Sequence, residues 1–462
     1  MELKKMNSNG FFHNEKHFEI KNLVIRNAKI ICPGNISEIE ADIEIENGII
    51  KSIGRDLPTG NIAQYSPINN NKKIKADNGR ILIDAAGMVA CPSFMDMHVH
   101  LREPGNEDEE DIESGISAAL HGGITSICCM PNTRPPVDNQ YLVKYILDRS
   151  AKKGFKVYPV AAMTKNLEGL ELTEIGTLKE CGAAAFSDDG YCVQDAKLMY
   201  EIMRYAKQFD TLLILHEEDY NFSKSGIMHE GYFSSKLGLE GISSLSETTM
   251  VARDIMLAKK THARIHFTHI SSMDSVELIR MAKEEGVSVT CDVTPHHLCF
   301  DDSCLDSYDT NFKVNPPLRS KQDREALISA LSTGVIDAIA SDHAPHIESE
   351  KNTTLKEASY GVTGMETLFA ATYTELVAKR KTVFYKYLSY LAQAPYKILG
   401  LKPPEIKPGN PAELVILDLK KENIIDRDFF FSKSLNSPFI GRKLSGEVVC
   451  TINSGSIAYI SM

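Results

Sequence analysis

The sequence predicts an α/β protein: a (β/α)8 TIM barrel carrying a small β-sandwich domain formed by the N- and C-terminal segments. Three observations predict it. Short alternating apolar segments occupy residues 21–90 and return over 401–462. Between them, over 91–400, continuous apolar runs alternate with segments of helical period, the mark of a parallel sheet covered by helices. With the stretch around MDMHVH counted, the runs number eight. Eight strand–helix units in about 300 residues fit a closed barrel better than an open sheet.

In chain order, residues 1–20 read as a polar extension. LVIRNAKIIC, ADIEIENGIIKSIG and ILIDAAGMVA then read as strands, with Asn47-Gly48 as a hairpin turn. The barrel strands after the first are ITSICCMPN (124–132), FKVYPVAAM (155–163), AAAFSDDG (183–190), TLLILHEED (211–219), RIHFTHISS (264–272), VSVTCDVTPHH (287–297) and VIDAIASDHAPH (335–346). DIESGISAALHGG, DAKLMYEIMRYAKQ, SETTMVARDIMLAKK, DSVELIRMAKEEG and DREALISALSTG carry apolar residues at helical spacing between them. AELVILDL (412–419) and GEVVCTINSGSIAYI (446–460) complete the second β region.

The 462 residues are 43% apolar and 24% charged, as in soluble globular proteins. A net charge of −11 without a clustered basic surface argues against nucleic acid and for a small-molecule partner. No apolar run reaches a membrane span, and the first residues are too polar for a signal peptide. The ten cysteines show neither a disulfide framework nor zinc-site spacing, which fits a reducing, cytoplasmic setting.

Barrel enzymes place their chemistry at the C-terminal ends of the strands. Polar residues gather there: His98 and His100, Asn132, Asp188-Asp189, His216, His269, then Asp342, His343 and His346. Residues i and i+2 of a strand share a face, so His98 and His100 point the same way. With His216, His269 and Asp342 at matching strand ends they form a candidate catalytic zinc site. Zinc lowers the pKa of a bound water to about 7, and Asp342 is placed to move its proton. An acidic bridge between two metals would come from Asp189 or Asp188, and spacing does not choose. Arg102 follows the histidines and suits a substrate carboxylate, or alternatively an ion pair with the acidic run Glu107–Asp111. Asn132 is a candidate substrate contact or a turn residue, and His346 a further contact. His296-His297 stay outside the metal set, as second-tier or structural residues. His13, His17, His121, His229, His262 and His266 read as structural or exposed.

DMHVHLREPG, GGITSICCMPNTRPP, AFSDDG, THIS, TPHHL, KVNPPLRS and ASDHAPH together resemble the amidohydrolase superfamily, specifically the bacterial-type class I dihydroorotases, over residues 22–455. The resemblance implies reversible interconversion of N-carbamoyl-L-aspartate and L-dihydroorotate in pyrimidine synthesis, with one or two Zn2+ per chain and a homodimer. It implies that His98 and His100 bind one zinc, His216 and His269 a second, and that Asp342 is both ligand and acid/base. The second aspartate of SDDG, Asp189, takes the bridging place. No lysine follows the fourth strand run to supply the carboxylated-lysine bridge of some relatives. Substrate contacts fall on His100, Arg102, Asn132, Asn315, His346, Tyr360 and Gly361. Many relatives carry Phe-Gly where this chain has Tyr360-Gly361, and the extension at 1–20 is outside the usual pattern. The rival readings are an allantoinase and a dihydropyrimidinase or hydantoinase. Arg102 and the missing lysine weigh against the latter two. A complete ligand set weighs against a non-catalytic scaffold.

Overall fold

The computed structural model describes residues 22–33, 38–57, 66–67, 74–77 and 80–461, so the polar extension expected at 1–20 lies outside the described residues. Eight parallel strands hydrogen-bond in chain order: Phe94–Val99, Ile124–Cys129, Lys156–Ala161, Ala185–Phe186, Leu212–Leu215, Arg264–Phe267, Val289–Val293 and Ala338–Ile339. A parallel bridge between Val99 and His343 ties the first strand to the segment after the eighth, and the His100 N–H donates to the His343 carbonyl at 2.8 Å. The sheet is thereby a nearly closed barrel, as the alternation of runs predicts.

The first two strands are buried at every position, so apolar residues fall on both of their faces. Met95, Met97, Cys128, Val160, Ala185, Leu212 and Ile214 fill the interior. Val99, Cys129, Val157, Phe186 and Phe267 face outward onto the helices. Cys128 and its neighbour Cys129 thus serve opposite faces of one strand, and all ten cysteines are free. The five helical segments named above fold as Ile112–His121, Ala196–Gln208, Leu245–Thr261, Met273–Glu284 and Lys321–Thr333. Asp111, Asp195, Ser272 and Ser320 accept backbone N–H groups at the helix starts, satisfying donors that have no partner within the helix.

The two chain ends share one mixed sheet, in which Val89–Pro92 pairs antiparallel with Leu414–Ile424. Asn47 and Gly48, at φ 50° and 82°, make the predicted turn between Ile39–Glu46 and Ile49–Gly54. Leu23, Ile25, Ile43, Ile83, Leu414, Ile416 and Ile452 meet in a core separate from the barrel's, built on the one sheet that the two chain ends share. Among the described residues, no helix is long and apolar enough to cross a membrane.

Candidate active site

The strands are shorter than the apolar runs that predict them, and the candidate site occupies the difference. Arg102, Asp189, His269 and Asp342 all lie just beyond a strand, with φ of 60°, 48°, 41° and 49°. Left-handed backbone is uncommon for residues with a Cβ and concentrates where function requires it. Four such turns at one end of the barrel redirect side chains from the ladder into the mouth.

The first strand uses a bulge instead. Met95 and Met97 face the interior while Phe94 and Val99 face the helices, and the register slips between Asp96 and Val99. Strict alternation would place His98 outside with Phe94. The extra residue turns His98 and His100 inward, a common use of bulges near active sites. His98 Nδ1 meets Thr268 Oγ1 at 2.7 Å, and His100 Nδ1 meets Asn132 Oδ1 at 2.8 Å. Both Nε2 atoms lie 3.4 Å from Asp342 Oδ1, and His98 Nε2 is also 3.0 Å from Asp189 Oδ1. Asn132 Nδ2 donates to Asp189 Oδ2 at 2.6 Å. Asp188 is turned away: its carboxylate accepts from the Met163 and Thr164 N–H groups and the Thr164 hydroxyl. The structure therefore brings Asp189, not Asp188, to the histidines.

His216 Nδ1 and His269 Nε2 stand 3.0 Å apart. The far side of the His216 ring, Nε2, meets Glu218 Oε2 at 3.1 Å, and Asn315 Nδ2 donates to the same oxygen at 3.0 Å. Arg102 Nε lies 2.9 Å from Glu109 Oε2 and donates to the Pro345 carbonyl at 3.1 Å, while Nη2 reaches His346 Nε2 at 3.3 Å. The ion pair to the acidic run and the place at the site are thus both realised. A cleft of about 170 Å³ is lined by His100, Arg102, Asn132, Asp189, His216, His269, Asn315, Asp342, His346, Tyr360 and Gly361. His98 lies beneath it, 1% exposed. Gly361 has φ 136°, and a Cβ there would lie 2.7 Å from Ala344 Cβ.

The electrostatics are those of a cation site. Burial opposes ionisation of Asp342 and Asp189, yet the surrounding imidazoles, His98 first for Asp342 and His100 first for Asp189, hold both carboxyls well below the usual range. Burial likewise opposes charge on His98, but Asp342 and Asp189 lift it to about 9. Burial and the neighbouring His216 keep His269 neutral, while the Glu218 contact outweighs burial and raises His216. His98 Nε2 is buried without a hydrogen bond. The donor atoms of His98, His100 and Asp342 lie within 4.8 Å of one another. Imidazole nitrogens with ionised carboxylates, one nitrogen left unbonded, fit a divalent metal. Glu109, His346 and Glu350 converge in the same way, but the Arg102 guanidinium already supplies their positive charge.

Sequence reasoning missed the support beneath these groups. Asp292 accepts from the His269 N–H at 2.7 Å and from Thr268 Oγ1 at 3.2 Å, and meets His266 Nε2 at 2.8 Å. It thereby braces His269 directly and His98 through Thr268. The available signal was an acidic residue inside the apolar run VSVTCDV. His266 is structural, as expected, and His297 bonds Thr294 and the Pro316 carbonyl. Glu218 also carried no motif of its own. Asp292→Asn places an amide N–H where donors now converge, and metal retention is expected to weaken by about 10- to 100-fold. Competition with a chelator checks this.

A family model described as dihydro-orotase-like matches residues 87–275. The chain is 45% identical to the dihydroorotase of Thermoanaerobacter sp. (strain X514) over 438 residues, covering 95% of this chain and 97% of that protein. It is 40% identical to the dihydroorotase of Bacillus subtilis (strain 168) over 426 residues, covering 92% and 95%. Among solved structures, an L-hydantoinase (dihydropyrimidinase) from Arthrobacter aurescens superposes with a TM-score of 0.79 at 24% identity, covering 95% of this chain and 97% of that one. A dihydropyrimidinase from Brevibacillus agri gives 0.78 at 20% identity, covering 95% of each. At these identities the structural likeness carries the fold.

Proposed function

The chain belongs to the dihydroorotase family, and on that premise we propose that it interconverts N-carbamoyl-L-aspartate and L-dihydroorotate. It is then a metal-dependent hydrolase of a cyclic amide in the amidohydrolase superfamily, acting on a small molecule. The observation that carries the substrate assignment is Arg102, whose guanidinium lines the same cleft as Asp342 and His100. Dihydroorotate has a free carboxylate for that guanidinium to bind in a fork, whereas dihydrouracil and hydantoin have none.

In this reading His98, His100 and Asp342 would hold one zinc, His216 and His269 would hold a second where two are bound, and Asp189 would supply the further carboxylate ligand. Bound zinc would polarise the ring amide carbonyl and acidify a water. Asp342 takes the proton of the attacking water and delivers it to the ring nitrogen, and ring closure runs the same transfers backwards. Arg102 and His346 bind the carboxylate side of the substrate. Asn132, Asn315 and the Tyr360-Gly361 backbone address its remaining polar atoms. The family resemblance further suggests a cytoplasmic homodimer.

The test assays purified protein of measured zinc content on dihydroorotate, dihydrouracil, hydantoin and allantoin. Turnover of dihydroorotate is expected to exceed that of each other ring by about 100-fold or more, since a ring without the carboxylate leaves the distal nitrogens of Arg102 without the anion they are placed to bind. A preference for any of the other three rings would sink the assignment.

A further inference from the structure

The segment that presents Tyr360 and Gly361 has neither helix nor strand to satisfy its backbone, so its carbonyls need partners elsewhere. Two buried lysines supply most of them. Lys313 Nζ donates to the Lys356 carbonyl at 3.1 Å and the Ala358 carbonyl at 2.6 Å. Lys351 Nζ donates to the Ser359 carbonyl at 2.9 Å and the Gly361 carbonyl at 3.0 Å. The Tyr360 carbonyl lies 2.8 Å from His346 Nε2. Five of the six carbonyls over 356–361 therefore meet a side chain. The Lys313 ammonium also sits 4.3 Å from the Tyr360 ring centroid, and the Gly361 N–H returns a bond to the Lys313 carbonyl at 3.1 Å.

Such lysines are costly to bury. Lys313 is 3% exposed and Lys351 6%. Burial pulls the first down to about 8, and burial with the Lys313 charge pulls the second down to about 7. A buried ammonium persists only where its donors are met, and here the carbonyls of one segment meet them. The lysines come from the other walls of the cleft. Lys313 stands two residues before Asn315, and Lys351 ends the short helix Glu348–Lys351 that follows His346.

We propose that Lys313 and Lys351 are positioning residues, an ammonium clasp that holds residues 356–361 in the shape that presents Tyr360 and Gly361 to the substrate. The clasp ties three cleft walls together without touching the reacting atoms. It rests on the reading that this segment faces the substrate.

The test uses full-length Lys313→Met and Lys351→Met, which keep the apolar stem and remove the charge, with Lys351→Gln retaining donors alone. Hydrogen exchange over 356–361 is expected to quicken by about tenfold or more. KM for dihydroorotate and carbamoyl aspartate should rise by about tenfold while kcat stays within about threefold and zinc content is unchanged. Lys351→Gln should fall between wild type and Lys351→Met, and it supplies the readout if a Met variant does not fold. Wild-type exchange and KM in these variants overturn the clasp. So does a loss of protection spread over the whole barrel, which would make the lysines general folding residues. Wild-type protein that does not turn over dihydroorotate defeats the proposed function instead, and the exchange measurement then decides the clasp alone.

Discussion

Asp342→Asn is expected to retain metal and lose turnover by about three to four orders of magnitude in both directions, the upper range of general acid–base catalysis. The residue is 8% exposed and left-handed at φ 49°, so its carboxylate has little freedom to be replaced by another group. Oδ1 faces His98 and His100 at the same 3.4 Å, and the amide of asparagine is isosteric and keeps one acceptor oxygen there. What asparagine lacks is a site that takes and returns a proton. The same imidazoles that hold the Asp342 carboxyl low would still converge on a cation after the substitution. The measurement pairs kcat on dihydroorotate and on carbamoyl aspartate with elemental analysis of the same sample. Full activity would remove Asp342 from the proton path. Loss of metal along with activity would make it a ligand first.

The barrel and the positions of its site residues were legible because two periods coincide. Buried parallel strands read as continuous apolar runs, and most of the runs end in polar residues where the barrel opens. That rule singled out His98, His216, His269 and Asp342 as candidates without any knowledge of side-chain direction. Direction was the part that sequence withheld. Asp188 and Asp189 are equivalent by spacing, and the Met163 and Thr164 N–H groups, 25 and 24 residues away, with the Thr164 hydroxyl, claim the first of them. His98 and His100 share a face by alternation, but that they face inward depends on the bulge between Asp96 and Val99. Asp292 was read as part of a strand, because its role lies in reaching Thr268 and His269 just past the end of the neighbouring strand. Lys313 and Lys351 were opaque for the same reason: their carbonyl partners belong to a segment with no periodic pattern. Local pattern reports where the chain goes. Contacts between elements decide what each polar side chain does there.

Arg102 shows both sides of that distinction and gives the second large prediction. Arg102→Met is expected to lower kcat/KM for dihydroorotate by about 100- to 1,000-fold, as removal of one partner from a buried, hydrogen-bonded charge pair usually does. The guanidinium is fixed through Nε by Glu109 and the Pro345 carbonyl, which leaves the distal nitrogens beside His346 to meet a carboxylate in the cleft. Arg102→Lys should recover little, because an ammonium is a point charge and does not reproduce the fork. The substitution has a structural cost as well. Burial pushes the Glu109 carboxyl up and Arg102 opposes it, so Met at 102 strands a buried carboxylate. The double variant Arg102→Met/Glu109→Gln removes that stranded charge and separates the two effects. Its thermal stability should return toward wild type while its kcat/KM for dihydroorotate stays low. Recovery of dihydroorotate turnover in the double variant would show that Arg102 serves only to neutralise Glu109, and the carboxylate of the substrate would need another partner.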